Sequence, residues 1–108
     1  MALLFDLNLA ADYNRWANSR IYNAASKLTE AQLKQDRQAF FGSIHNTMNH
    51  ILLSDLIYRE RLEKKPTTFT RLDDVLYDDF TALEEAHRIN DGWYVYYCRD
   101  VSDAILDD

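Results

Sequence analysis

The sequence predicts an all-α protein, an up-down helical bundle with three long helices, on three observations. Its 108 residues, 47% of them hydrophobic, suit one small domain with a packed core. Two glycines and one proline supply little of the turn chemistry that a β-protein needs. Apolar residues recur every three or four positions in three segments, which is the spacing of one face of an α-helix. Residues 1–108 are therefore expected to form a single helical domain.

The first helix is expected to run from about Asp6, a suitable N-cap, to about Leu28. Its apolar seam follows the three-to-four spacing and consists of Leu9, Tyr13, Trp16, Arg20, Ala24 and Leu28. The aromatic members of this seam are expected in the core or at its rim.

A short helical turn is expected to begin at Thr29, because Gln32 stands three residues later in the arrangement of a capping box. The following segment is first polar, then aromatic, and ends at Gly42. This composition predicts a connection that tucks Phe40 and Phe41 under the next helix.

The second long helix is expected from Ser43, its cap, to about Lys64, since Pro66 disfavours continuation. It is apolar over most of its girth, a pattern typical of a central helix with several neighbours. The seam and its flanks are Ile44, Met48, Ile51, Asp55, Tyr58 and Leu62, with Leu52, Leu53, Leu56 and Ile57 beside them. This surface is wider than two partner helices need, so the sequence indicates a fourth helix from a further segment or another chain.

The third long helix is expected to begin near Asp78 or Asp79, because acidic side chains favour a helix N-terminus. The segment WYVYYC, residues 93–98, is rich in β-forming residues, but the sequence offers no partner strand, so this segment is assigned to the helix. Ser102 is expected to cap one last turn. Connections of moderate length then predict that the three long helices run up, down and up.

The net charge of −6, without a cluster of basic residues, argues against nucleic acid and anionic membranes as partners. Lys64 and Lys65, the densest basic spot, suit the C-terminal end of a helix. The N-terminal apolar run lacks the basic residues that precede a signal peptide and is too short to span a bilayer. The one cysteine, Cys98, cannot form an internal disulfide, which agrees with a cytoplasmic location.

Two histidines, His45 and His50, lie five positions apart in the second long helix. Five positions correspond to about 140° of rotation, so the two rings point in different directions. His50 lies on the side of Leu53 and Ile57 and is the inward candidate, whereas His45 is expected to be half-exposed near the cap. Two interpretations of His50 stay open: a hydrogen-bonded core residue, or a metal ligand in the bundle core.

Two further candidates have structural interpretations. His87 shares an apolar face of the third long helix, and a position at the rim is expected for it rather than a pairing with His50. Asp55 lies on the core-facing seam and is expected to pair with Arg20 or Arg59. The alternative for Asp55 is a buried carboxylate with a raised pKa.

Three blocks of the sequence carry a family resemblance: DYNRWANSRIYNA, FFGSIHNTMNHILLSDLIYRERL and LYDDFTALEEA. Over about residues 5–90 the chain resembles the DinB family, also called the DinB/YfiT-like metalloenzymes. The second block is the most specific one. It has an aromatic-Gly-Ser-Ile opening, then Asn-His-Ile-Leu around His50, and then Asp55 five residues after that histidine.

The resemblance implies a four-helix bundle, commonly a homodimer, in which three histidines hold a divalent metal such as Zn, Ni or Fe. His50 matches the ligand from the second long helix. The family takes its other two ligands from a His-x-x-x-His motif on the last helix, and these 108 residues contain no such motif. Some relatives use the metal to activate a small thiol, so the resemblance implies a hydrolase or a thiol transferase.

Two hypotheses about function follow. The first is a DinB-like metal-dependent enzyme whose metal site at His50 is incomplete in this chain, because the fourth helix is missing, and which binds metal weakly or not at all. The alternative is a non-catalytic helical module that self-associates, or binds a partner helix, through an open apolar groove.

Overall fold

Four helices make up the fold in the computed structural model, which describes residues 2–38, 40–69, 71 and 74–107. They are α1 (Ala2–Ala25), the short α2 (Glu30–Lys34), α3 (Ile44–Leu62) and α4 (Phe80–Asp107). The described part of the chain contains no β-strand, so the all-α prediction is confirmed. The segment WYVYYC lies inside α4, as expected.

The helix starts follow local capping chemistry that the sequence already indicates. The Thr29 hydroxyl accepts a hydrogen bond from the Gln32 backbone, and the Gln32 side chain accepts one from the Thr29 backbone, which completes a capping box. Ser43 caps α3 by accepting from the backbone N–H of Asn46. Asp79 does the same for the start of α4, where it accepts from the backbone of Ala82 at 3.0 Å.

The bounds of two helices differ from those expected. Asp6 lies inside α1, which begins at Ala2 and ends at Ala25, so Asp6 is not its cap. Ser102 likewise lies inside α4, which continues to Asp107 without a new cap. Both helices therefore extend beyond the residues that carried a capping signal.

The direction of α4 also differs from the expected up-down-up order, because α4 runs parallel to α3. Contacts between these two helices advance together along both: His45 bonds Tyr77 just before α4, and Asp55 bonds His87 further on. Both helices run antiparallel to α1. The expected order fails because the connection at residues 63–79 reaches about 55 Å when extended, whereas α3 is only about 28 Å long.

Two described parts of the connection between α3 and α4 contact α3. Near the end of α3, Thr68 donates two hydrogen bonds to the Glu60 carboxylate. Near its start, the buried Asn49 side chain accepts from the Tyr77 backbone N–H at 2.9 Å and donates to the Tyr77 carbonyl at 3.1 Å. This clamp fixes the height at which α4 begins and hence which residues of α4 face α3.

The apolar core fills one end of the bundle, where the end of α1 meets the starts of α3 and α4. Its buried members are Tyr22, Met48, Leu52 and Leu83, and Ile44, Ile51, Leu56, Phe80 and Ala86 pack against them. Among the described helices, none is long and apolar enough to cross a membrane.

The seam expected to bury α1 faces outward instead. Leu9 is 55% exposed, Tyr13 63% and Trp16 54%. The buried side of α1 carries Ala11, Asn18, Tyr22 and Ala25. Small side chains let α1 approach α4 closely, and the polar ones find partners there, so the more strongly apolar face of this helix is left in solvent.

The aromatic pair before α3 is only partly tucked under that helix. Phe40 is 95% exposed, so its expected position is wrong. Phe41 is half-buried, and its ring stacks on His50 with 4.0 Å between the ring centroids.

Leu83→Ala is expected to lower the free energy of unfolding by about 2–5 kcal/mol, because Leu83 is fully buried and its truncation leaves a cavity. Urea denaturation followed by circular dichroism measures the change. Ile89→Ala on the same helix is the matched control, since Ile89 is 63% exposed and its truncation is expected to cost less than about 0.5 kcal/mol. Equal losses in the two variants would contradict the assigned core.

Candidate metal centre

A polar cluster next to the apolar core has His87 of α4 at its centre. The imidazole is fully buried, and both of its nitrogens have partners. Nδ1 lies 2.6 Å from the Tyr22 hydroxyl of α1, and Nε2 lies 3.0 Å from Asp55 Oδ2 of α3. One side chain therefore joins all three long helices.

Asp91 lies one helical turn after His87 and completes the acidic part of the cluster. Its Oδ1 is 3.9 Å from His87 Nε2, and its side chain is almost fully buried. Burial raises the pKa of the Asp91 carboxyl. A hydrogen bond from Asn18 and the electrostatic effect of the nearby His87 both oppose this rise. A buried carboxylate costs free energy unless a positive charge or hydrogen-bond donors compensate its charge. Asp91 therefore needs such partners.

Two asparagines of α1 supply those donors. The Asn18 side-chain amide lies 3.2 Å and 3.0 Å from the two Asp91 oxygens, and 3.3 Å from His87 Nε2. Asn14, one turn earlier, donates to Asp91 Oδ1 at 3.1 Å. The Asp91 carboxylate is thus held by α1 in a fixed orientation.

Asp55 connects the cluster to solvent through a groove of about 380 Å³ between α1, α3 and α4. Its side chain is 26% exposed, far more than those of His87 and Asp91. The groove is mainly apolar and is lined by Leu7, Ala10, Ala11, Asn14, Asp55, Tyr58, Leu62, Tyr94 and Cys98. The Tyr94 hydroxyl donates to the Asp55 backbone carbonyl and so holds the mouth of the cluster in place.

The cluster has the donor atoms and spacing of a metal site. One ligand atom from each of Asp55, His87 and Asp91 can be chosen so that all three lie within 4.8 Å of one another. Two carboxylates and one imidazole are a donor set that divalent cations accept. A three-residue set also leaves coordination positions for other ligands. The side chains therefore fit a divalent cation.

Tyr22 is compatible with the tautomer that metal binding requires. An imidazole binds a metal through its unprotonated nitrogen, so Nε2 coordination needs the proton on Nδ1, from where it is donated to the Tyr22 oxygen. Burial raises the pKa of the Tyr22 hydroxyl, and the charges of Asp91, Glu84 and Asp55 add to this. Tyr22 therefore stays a neutral hydroxyl, which can accept a hydrogen bond from Nδ1–H or donate one to an unprotonated Nδ1.

Two histidines lie elsewhere than expected. His45 is buried rather than half-exposed, and its Nε2 bonds the Tyr77 carbonyl at 2.8 Å. His87 was expected at the rim, yet it is fully enclosed, while the neighbouring Arg88 is exposed near Glu84. The clamp on Tyr77 draws His45 inward.

Asp55 pairs with His87 rather than with either expected arginine. Arg59 instead bonds Asn90 and stacks over the Trp93 ring. Arg20 lies over the exposed Trp16 ring, on the outer side of α1. The alternative of a buried carboxylate is met only in part, because the Asp55 side chain contacts His87 but is 26% exposed.

His50, the residue predicted as a metal ligand, lies outside this cluster. Its ring is half-buried and stacks on Phe41. Among the residues that the structure describes, the cluster that can hold a metal contains Asp55 and His87 but not His50. Metal binding at His50 stays a prediction.

The cluster was missed although the sequence carries one signal for it. His87 and Asp91 have the i, i+4 spacing that places two side chains on the same face of a helix. Asn14 and Asn18 repeat that spacing on α1. Polar side chains at core spacing on two different helices indicate a shared buried site, but only the fold shows that they meet.

Comparison with known proteins gives a family match and a match to part of one relative. The model of the DinB family matches residues 4–97. A segment of 45 residues is 40% identical to Protein DinB of Bacillus subtilis (strain 168), covering 42% of this chain and 26% of the relative. The match thus spans about a quarter of that protein's length. No solved structure matches the chain.

Tyr22→Phe is expected to lower the free energy of unfolding by about 1–2 kcal/mol, because it leaves a buried imidazole nitrogen without its partner. Chemical denaturation measures the loss. Tyr13→Phe is the control on the same helix, where the ring is 63% exposed and no change is expected. A Tyr22→Phe variant as stable as the parent would mean that the hydroxyl does not support His87.

Proposed function

The chain belongs to the DinB family, and we propose that it binds one divalent metal ion through Asp55, His87 and Asp91. We propose further that it uses this ion as a metal-dependent enzyme of the hydrolase or thiol-transferase class. The observation that supports the proposal best is the buried cluster itself, with Asp55 open to a groove. The family resemblance suggests Zn, Ni or Fe as the metal.

The cluster contains two carboxyl groups whose negative charge a cation would compensate. Asp91 is buried, Asp55 lies beside the same imidazole, and the net charge of the chain is −6. A divalent ion compensates both carboxylates at once, which hydrogen bonds from asparagine do only in part. When bound, such an ion lowers the pKa of a coordinated water or thiol and so supplies a nucleophile near neutral pH.

The residues around the cluster would bind the substrate and orient the metal ligands. The groove places a substrate next to Asp55, the most exposed of the three candidate ligands. Its apolar walls, among them Leu7 and Leu62, favour a substrate with an apolar part and displace water from the site. His87 and Asp91 lie deeper, where the bonds from Tyr22 and Asn14 orient them.

Metal titration by calorimetry tests the proposal. The parent protein, freed of metal with a chelator, is expected to bind one Zn²⁺ or Mn²⁺ per chain, and the metal is expected to raise its melting temperature. Asp55→Asn is expected to weaken binding at least tenfold, because an amide replaces a charged ligand. Asp55 is the most exposed of the three candidate ligands, so this substitution is expected to disturb folding least. Asp91→Asn provides the same test deeper in the cluster.

His50→Ala is the control that separates this cluster from the position that the family resemblance suggests. Binding that survives in His50→Ala and is lost in Asp55→Asn supports the proposed centre. Loss in His50→Ala together with retention in Asp55→Asn would move the site to His50 and refute the proposed centre.

Self-association is a second candidate function, favoured by the exposed apolar stripe on α1. The stripe is formed by Leu9, Tyr13 and Trp16, which follow the spacing of one helix face. The Tyr13 and Trp16 rings lie 5.7 Å apart, so they form one continuous surface. Exposed patches of this kind mark interaction sites, and we propose a homodimer formed through α1.

Trp16→Lys is expected to convert this homodimer to a monomer, because a charge within the stripe would have to be buried. Sedimentation velocity at several protein concentrations measures the distribution. Tyr96→Lys on α4 is the matched control, since Tyr96 is 72% exposed and lies outside the stripe. A parent protein that stays monomeric at all concentrations would contradict this candidate.

A further inference from the structure

The Asn18 side chain contacts two of the three residues of the proposed metal centre, His87 and Asp91. Its Nδ2 lies 3.0 Å and 3.2 Å from the Asp91 oxygens and 3.3 Å from His87 Nε2. Asp91 and His87 would each supply one of these atoms to a metal. The side chain is nearly buried, so the closeness is part of the packed interior and not a chance surface contact.

The distances agree with a ligand position for the end of this amide. Neighbouring ligands of a divalent ion with bonds of about 2.1 Å are about 3.0 Å apart in octahedral geometry. The separation of Asn18 Nδ2 from Asp91 Oδ2 is 3.0 Å, and that of His87 Nε2 from Asp55 Oδ2 is also 3.0 Å. Both agree with an edge of a coordination shell.

Only the atom type at that position is unsuited to a metal. An amide nitrogen donates hydrogen bonds, whereas the amide oxygen is a regular ligand of hard cations. Rotation of the side-chain amide by about 180° exchanges the two atoms, and this terminal torsion is broad and roughly two-fold. Without a cation, the oxygen would face the Asp91 carboxylate and be repelled by it.

We propose that Asn18 is the fourth protein ligand of this centre and that its side-chain amide turns over when the metal binds. This inference rests on the proposed function. In the metal-free protein the N–H groups of Asn18 partly replace the cation by donating to Asp91. In the metal-bound protein Oδ1 of Asn18 joins Asp55, His87 and Asp91.

Asn14 makes this exchange feasible. It donates to Asp91 Oδ1 at 3.1 Å, and its own oxygen accepts only a long contact of 3.5 Å from Asn18 Nδ2, so the carboxylate keeps an orienting hydrogen bond after Asn18 has turned. The two asparagines thus have different roles although both contact Asp91: Asn14 positions the carboxylate, and Asn18 supplies a ligand atom.

The fourth ligand narrows the class of metal. Three oxygens and one imidazole nitrogen form a harder donor set than the three histidines that the family resemblance implies. Such a set favours Mn²⁺ or Fe²⁺ over ions that prefer sulfur or several imidazoles. Manganese is therefore the probe of choice for this centre.

Calorimetric titration of Mn²⁺ into Asn18→Ala and Asn14→Ala tests the proposal, because these variants remove the same side chain one turn apart. Asn18→Ala is expected to weaken binding at least tenfold, and Asn14→Ala less than about threefold. Equal losses in both variants, or no loss in Asn18→Ala, would show that Asn18 only braces Asp91 and would overturn the proposal while leaving the metal centre in place.

Nuclear magnetic resonance of the parent protein gives a readout that does not depend on the folding of a variant. With protein carrying ¹³C- and ¹⁵N-labelled asparagine, Zn²⁺ is expected to shift the Asn18 side-chain Cγ and N–H₂ signals. The signals of Asn49, whose buried amide binds Tyr77, are expected to stay in place.

Unchanged Asn18 signals on bound Zn²⁺ would overturn the ligand role. If the parent protein binds neither Mn²⁺ nor Zn²⁺, the proposed function fails, and the role of Asn18 fails with it.

Discussion

The bundle depends on the requirement that a buried imidazole have partners for both of its ring nitrogens. His87 meets this requirement only because α1 offers Tyr22 on one side and α3 offers Asp55 on the other. A shift of either helix by one residue combines about 1.5 Å along the axis with about 100° of rotation, which would turn one of these partners away from the imidazole. The polar contacts therefore fix the register of three helices that apolar packing alone would hold less specifically.

The same cluster places carboxyl groups in the interior, where their charge is costly. Burial raises the pKa of the Asp91 carboxyl, which shows that the environment disfavours its charged form. An apolar residue at that position would serve the core better. The proposed binding of a cation would give a reason for a carboxylate at this position, with Asn14 and Asn18 turned toward it.

Local features of the fold could be predicted from the sequence, whereas features that depend on partners could not. The caps at Thr29 and Ser43 were predicted correctly because each involves side chains within three residues of the backbone they bond. The outward orientation of the apolar face of α1 was not predicted. Periodicity identifies an apolar stripe, but it does not show which face of the helix the neighbouring helices cover. His87 illustrates the same limit for the site: its burial comes from the Tyr22 and Asp55 side chains of other helices, which no pattern within α4 reveals.

The long connection between α3 and α4 explains why the cluster has an entrance. A tight hairpin would make the two helices antiparallel and place a turn between adjacent ends. Here two parts of the connection contact α3 through the bonds of Thr68 and Tyr77. The later turns of α3 and α4 therefore lie side by side against the start of α1 without a loop joining them. The groove opens between these segments, and Asp55 lies at its inner end. The parallel arrangement, which the sequence did not predict, thus leaves a carboxylate in the middle of the bundle open to a groove.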